Sequence, residues 1–321
     1  MTNINEMRKK LLEMQNKAQA NKGEQTDSEV YLHWNLPDNG QSIVRYLPDG
    51  NANNTFFWEE RQIIKLPFAG VKGNPDVKDI IVQVPCADMW GRNLCPIVRE
   101  IQPWWDDASL KPIASKYWKK RSYLMQGFVV EDGIQKGTQA APDQIKRFVM
   151  NPQIFKIVKA TILDPDMENS PVDFDFGTNF KIIKTKNGNY ADYATSTWMR
   201  KESALTDAQK EAVKTHGLHK LSDFLPKQPT DLELKIIHEM FEASVNGELY
   251  DLEKWGNYYK PFNLNAPSTD DDNDEKSTTT EAPAIVKTTT EEPAQEETKT
   301  TSASQSAQDI LEALKRRKAS A

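Results

Sequence analysis

Hydrophobic and polar positions change period more than once along this chain. Over residues 3–20, Ile4, Met7, Leu11, Met14 and Ala18 recur at helical spacing, with Asn3 as an N-cap and Gly23 beyond the end, which predicts an amphipathic helix. A lone helix of that length is marginal in water, so it is expected to dock on something. From Val30 the pattern turns extended: Asp38-Asn39-Gly40 is a turn signal, and Ser42 to Leu47 alternates until Pro48, with Arg45 on the face opposite Val44. Further strands are expected at residues 55–64, 80–84, 123–130, 145–150, 180–185 and 193–199, with a hairpin turn at Lys186-Asn187-Gly188-Asn189. Asn151-Pro152 opens a helix carrying Ile154, Phe155, Val158 and Ile162. After Met199 the signals are helical, with capping boxes at Thr206/Gln209 and Thr230/Glu233 and stops at Gly217 and Gly247. Short strands with long connections predict an α+β chain built on a small barrel with flanking helices.

Composition divides the chain further. From Asn265 to Gln305 ten carboxylates face three lysines among Thr, Ser, Ala and Pro, so this stretch is expected to be a disordered acidic tail. It holds more negative charge than the whole-chain net of −6, which leaves the rest near neutral. Between Ile113 and Ala160 nine basic residues face three acidic ones. The expected organisation is a helical arm at 1–22, a core at 23–264 with a helical subregion at 200–264, an acidic linker at 265–306 and a tip at 307–321. In the tip, Ile310, Leu311 and Leu314 share a helical face ahead of Lys315, Arg316, Arg317 and Lys318, the order that suits a helix dipole.

The stretch KYWKKRSYLMQGFVVED, Lys116 to Asp132, brings candidate chemistry to the basic middle. Lys116, Lys119, Lys120 and Arg121 alternate with Tyr117, Trp118 and Tyr123 before an apolar run that reads as a buried strand, so cations and rings are expected at the mouth of a sheet. Cations follow phosphates and aromatic faces accept unpaired bases of any identity, which points to single strands. Lys146 and Arg147 extend the same basic region.

With NGQSIVRYLP at 39–48, KKRSYLMQGFVVED at 119–132 and NFKIIKTKNGNY at 179–190, the chain resembles the single-stranded DNA-binding proteins of T-even-like bacteriophages. The resemblance runs over residues 7–205 in the same order. It implies an OB-fold-like core with a basic cleft, cooperative coating of single-stranded DNA in replication, recombination and repair, and partner proteins of those processes on the C-terminal tail. It places Arg45 and Lys119 as cleft cations and Tyr123, Phe148 and Tyr190 as rings lining the groove. It implies a phage-encoded protein of the bacterial cytoplasm, in keeping with the absence of a signal-like N-terminus or a membrane-length apolar run.

Two departures qualify it. The family's core zinc takes one His and three Cys; here Cys86 and Cys95 match two places, Val98 stands at the third, and no His lies between His33 and His216, so no zinc is expected. The family's self-association motif is basic residues followed by hydroxyls, whereas Arg8-Lys9-Lys10 is followed by Leu11-Leu12. No nucleotide-binding or deaminase motif is complete, so an enzyme is not expected. The rival readings are a single-stranded RNA-binding repressor and a scaffold without a nucleic-acid role.

Overall fold

The computed structural model describes residues 29–135 and 140–261. The expected N-terminal helix with Arg8, Lys9 and Lys10, the acidic stretch and the tip lie outside the described residues. Strands run in chain order as β1 (Gln41–Leu47), β2 (Glu59–Val71), β3 (Asn74–Pro85), β4 (Lys120–Glu131), β5 (Lys146–Met150), β6 (Thr178–Ile183), β7 (Thr185–Asn187), β8 (Tyr190–Asp192) and β9 (Thr197–Glu202). The α-helices are α1 (Pro96–Ile101), α2 (Lys111–Tyr117), α3 (Pro152–Ile162), α4 (Asp207–His216), α5 (Asp231–Val245) and α6 (Leu252–Trp255). No described helix is long and apolar enough to cross a membrane.

The described residues divide into two compact units, one made of 29–60 and 122–225, the other of 61–121 and 226–261. Of the three crossings, two fall inside β2 and β4 and the third follows Leu225. The region expected to be one helical subregion is therefore shared, α4 belonging to the first unit and α5 and α6 to the second.

In the first unit β1 pairs antiparallel with β4 (Val44 opposite Val129) and with β6 (Val44 opposite Phe180). Strand β5 continues from β4 and β9 from β6, giving the order β5-β4-β1-β6-β9. Among the described residues no pairing joins β5 to β9, and the sheet is not closed into a barrel. One face buries Val44, Tyr46, Tyr123, Met125, Phe148, Met150, Phe180 and Ile182. The other buries Leu47 and Phe128 beneath Leu205 and Ala212. The strands pass so closely that a Cβ on Gly127 would collide with the carbonyl of Arg45. Asn151 caps α3, its Oδ1 accepting the Ile154 N–H at 2.9 Å.

The second unit is a β2–β3 hairpin whose paired Ile64/Val84, Leu66/Val82 and Phe68/Ile80 face Ile97, Ile101, Trp104, Ile237, Met240 and Phe241. Both predicted capping boxes are formed, on α4 and on α5, and Gly217 and Gly247 take the left-handed φ of +73° that ends each helix region.

Three elements differ from the sequence-based expectation. The strand expected from residue 55 starts at Glu59, because Asp49 and Asn54 tie the preceding residues into a loop: Asn54 Nδ2 donates to Asp49 Oδ2 at 2.7 Å and to the Trp58 carbonyl at 3.2 Å. Lys116 and Tyr117, expected at the mouth of a sheet, close a helix. Pro112 lies in the first turn of α2, where its missing N–H costs nothing, and the buried Tyr117 anchors the other end, its hydroxyl 2.9 Å from Ser244 Oγ. Lys184 interrupts the expected strand at 180–185, which splits into β6 and β7, and the strand expected at 193–199 begins only at Thr197.

Candidate nucleic-acid interface

The KYWKKRSY stretch is divided by the fold. Lys116 to Arg121 belong to the second unit, Tyr123 to the first. In the second unit Lys116 is exposed, its Nζ 5.6 Å from the Tyr117 ring centre. Tyr117 is buried with its ring edge-on to Phe241, and the half-buried Trp118 meets Trp105 in the same way. Lys119 Nζ bonds Asp88 Oδ2 at 2.9 Å in a largely enclosed ion pair. Lys120 is half-buried and Arg121 exposed.

In the first unit register separates the two arginines from the rings, while Lys146, opposite Gly127, falls on the ring face. Tyr123 and Phe148 lie on the apolar face, Phe148 fully buried between Tyr31 and Tyr46 with ring centres 5.6 Å from each. Arg45 and Arg147 lie on the opposite face. Arg45 is 1% exposed; its Nη2 donates to the Asp173 carbonyl at 2.5 Å and its Nη1 reaches Asn179 Oδ1 at 3.5 Å. Burial pulls its pKa down, and the neighbouring Asp173 opposes that. Arg147 stacks over Phe224 at 3.7 Å and bonds Glu29 at 3.3 Å, and Lys146 beside it is buried. Tyr190, at the tip of the β7–β8 hairpin opposite Asn187, is 47% exposed. Of the rings expected to stack on bases, Tyr190 offers an open face, Trp118 a partial one, and Tyr117, Tyr123 and Phe148 are covered by protein.

The first unit carries an aromatic series that strand periodicity hid. Tyr123 stacks on Phe155 at 3.5 Å and 10°, Phe155 meets Trp58 edge-on at 5.1 Å, and Trp58 stacks on Phe56 at 4.6 Å and 28°. Burial falls steadily along it, from Tyr123 through half-buried Phe155 and Trp58 to Phe56, which is 56% exposed. The chain matches no family model, and a comparison with curated proteins found no match. The sequence signal for the series was Phe56-Phe57-Trp58 following Asn51 to Asn54: three consecutive rings after a turn-forming run. Of the three, Phe57 alone is fully buried, against Tyr46. Lys156 and Lys159 project into solvent from α3, the helix that supplies Phe155. Phe56 is joined on the surface of this unit by Trp34, Phe176 and Tyr190.

The two cysteines are both buried thiols in the second unit, hydrogen-bonded to one another. The shared bond raises Cys86 and, with backbone N–H groups of Val98 and Ala87, lowers Cys95, which caps α1. Asp88 lies beside them, but its carboxylate already accepts the Cys95 N–H at 3.1 Å and the Lys119 ammonium. Val98 is buried in the apolar core, and among the described residues no three His, Cys, Asp or Glu side chains converge on a metal position. This donor set does not fit a structural zinc.

Proposed function

We propose that this chain binds single-stranded DNA without sequence preference and acts in DNA replication, recombination and repair, as its resemblance to the phage proteins implies. The observation that carries the reading is the aromatic series ending in solvent at Phe56. A folded protein gains little by leaving a large ring open at the end of a stacked series, whereas an unpaired base adds the next layer whatever its identity. Lys156 and Lys159 on α3, the helix that supplies Phe155, are phosphate partners and give a salt-dependent affinity. In this reading the open antiparallel sheet of the first unit is the OB-fold-like element, and Arg45 and Arg147 brace it from the face opposite the rings. Cooperative coating through residues 1–22 and recruitment of replication and recombination proteins by the C-terminal tail belong to the same proposal.

The test is a titration of labelled single-stranded DNA, duplex DNA and single-stranded RNA of equal length at several salt concentrations, followed by anisotropy and tryptophan quenching. Trp58 in the series makes the quenching a local report. Salt-steep binding of single-stranded DNA with base-independent quenching that disappears in Trp58→Leu supports the proposal. Preference for RNA turns the reading to a repressor, and no salt-sensitive binding of any strand overturns it.

A further inference from the structure

A groove of about 470 Å³ runs along the second unit where α1 and α5 meet, lined by Leu94, Pro96 and Leu234 together with Arg99, Lys235 and the His238–Glu100 pair. Leu94 stands 47% exposed beside it. His238 Nε2 and Glu100 Oε2 are 2.6 Å apart and satisfy one another. Arg99 and Lys235 are exposed cations with no ion-pair partner among the described residues. The groove is thus apolar and bordered by positive charge.

We propose that this groove takes the amphipathic segment at the chain's own C-terminus, residues 307–318. Leu314 lies four residues after Ile310 and three after Leu311, the spacings by which a helix presents one apolar edge to a groove. Asp309 and Glu312 border that edge and complement Arg99 and Lys235, while the run Lys315 to Lys318 continues past it. Reach is sufficient. The chain leaves the described region at Pro261, bridged to Val82 in this same unit, and residues 262–309 span on the order of 40 Å as a flexible coil. A tether of that length holds the segment at roughly millimolar effective concentration, so even weak intrinsic affinity keeps the groove filled. A segment this short gains its helical order from docking. The acidic stretch 265–306 then becomes a loop pinned at both ends to the second unit. This docking stands whether or not the ligand of the first unit is DNA.

The experiment compares hydrogen exchange in the full-length chain and in full-length Leu311→Asp/Leu314→Asp. Exchange at residues 94–101 and 232–238 is expected to rise about fivefold in the variant while β4 and β5 stay unchanged. A labelled peptide of residues 305–321 is expected to bind the variant, and to bind about tenfold more weakly when Arg99→Glu and Lys235→Glu are added. Unchanged exchange, or peptide binding indifferent to the groove substitutions, overturns the proposal. Protection that fades on dilution overturns the intramolecular form and assigns the segment to a second copy of the chain.

Discussion

Two rings of similar size have opposite consequences in the first unit. Phe148 is enclosed by Tyr31 and Tyr46, so Phe148→Ala removes a filled volume that neighbours cannot close and should cost about 3–5 kcal/mol by denaturant unfolding. Phe56→Ala, at the open end of the series, should leave stability within about 1 kcal/mol yet weaken single-stranded DNA binding by about 1–3 kcal/mol. A variant pattern with those effects exchanged would place the binding surface elsewhere. His33 offers a second residue-scale test. It is buried against Trp34 and Tyr193, its Nδ1 without a hydrogen-bond partner among the described residues, and burial with the nearby Lys184 lowers its pKa from 6.5 to about 4. Below pH 6.5 the unfolded chain takes up a proton that the folded one refuses. The stability contribution is therefore complete above pH 6.5 and declines by roughly 3 kcal/mol as pH falls to about 4. His33→Phe should flatten that part of the pH–stability profile, and an unchanged slope would assign the loss to other groups.

Local signals with a single mechanism translated well into elements. The two capping boxes, the Asn151-Pro152 helix start and the Gly188 hairpin turn each satisfy specific backbone groups, so residue type and spacing are enough to locate them. Thr206→Ala and Thr230→Ala should each cost about 1 kcal/mol in thermal or denaturant unfolding, since each removes one side of a reciprocal pair. Where the reading departed, tertiary partners decided. Tyr117 reads as a stacking ring until Ser244 and Phe241, far away in sequence, enclose it. Arg45 reads as a strand cation facing a groove until the Asp173 carbonyl takes its guanidinium. Phe56 and Trp58 read as alternating strand residues because the turn signal of Asn51 to Asn54 does not say where the loop ends, and it is the Asn54 amide, bonded to Asp49 and to the Trp58 carbonyl, that carries it as far as Trp58. The open aromatic series joins a loop to α3 and β4, and no single window of sequence contains it.

At the scale of the molecule, the basic middle and acidic tail predict a competition. Deleting residues 265–321 should raise affinity for single-stranded DNA at low salt, by a margin that shrinks as added salt screens the tail; equal affinities at low salt would leave the tail without that role. The division of the chain into units was not legible at all, since composition does not change at residues 60 or 121 and two of the three crossings lie within continuous strands. Those crossings set an order of events during synthesis. Strand β1 must wait for β4 before it can pair, and by then the β2–β3 hairpin and α1 have already emerged. Their apolar side still lacks Ile236, Ile237, Met240 and Phe241, which follow only after the last residue of the first unit has been made. The first unit can therefore complete itself while the second remains half-built on the ribosome. Nascent chains arrested just after residue 225 should expose the Leu66 and Val82 face to chaperones, and those extended beyond residue 261 should bury it.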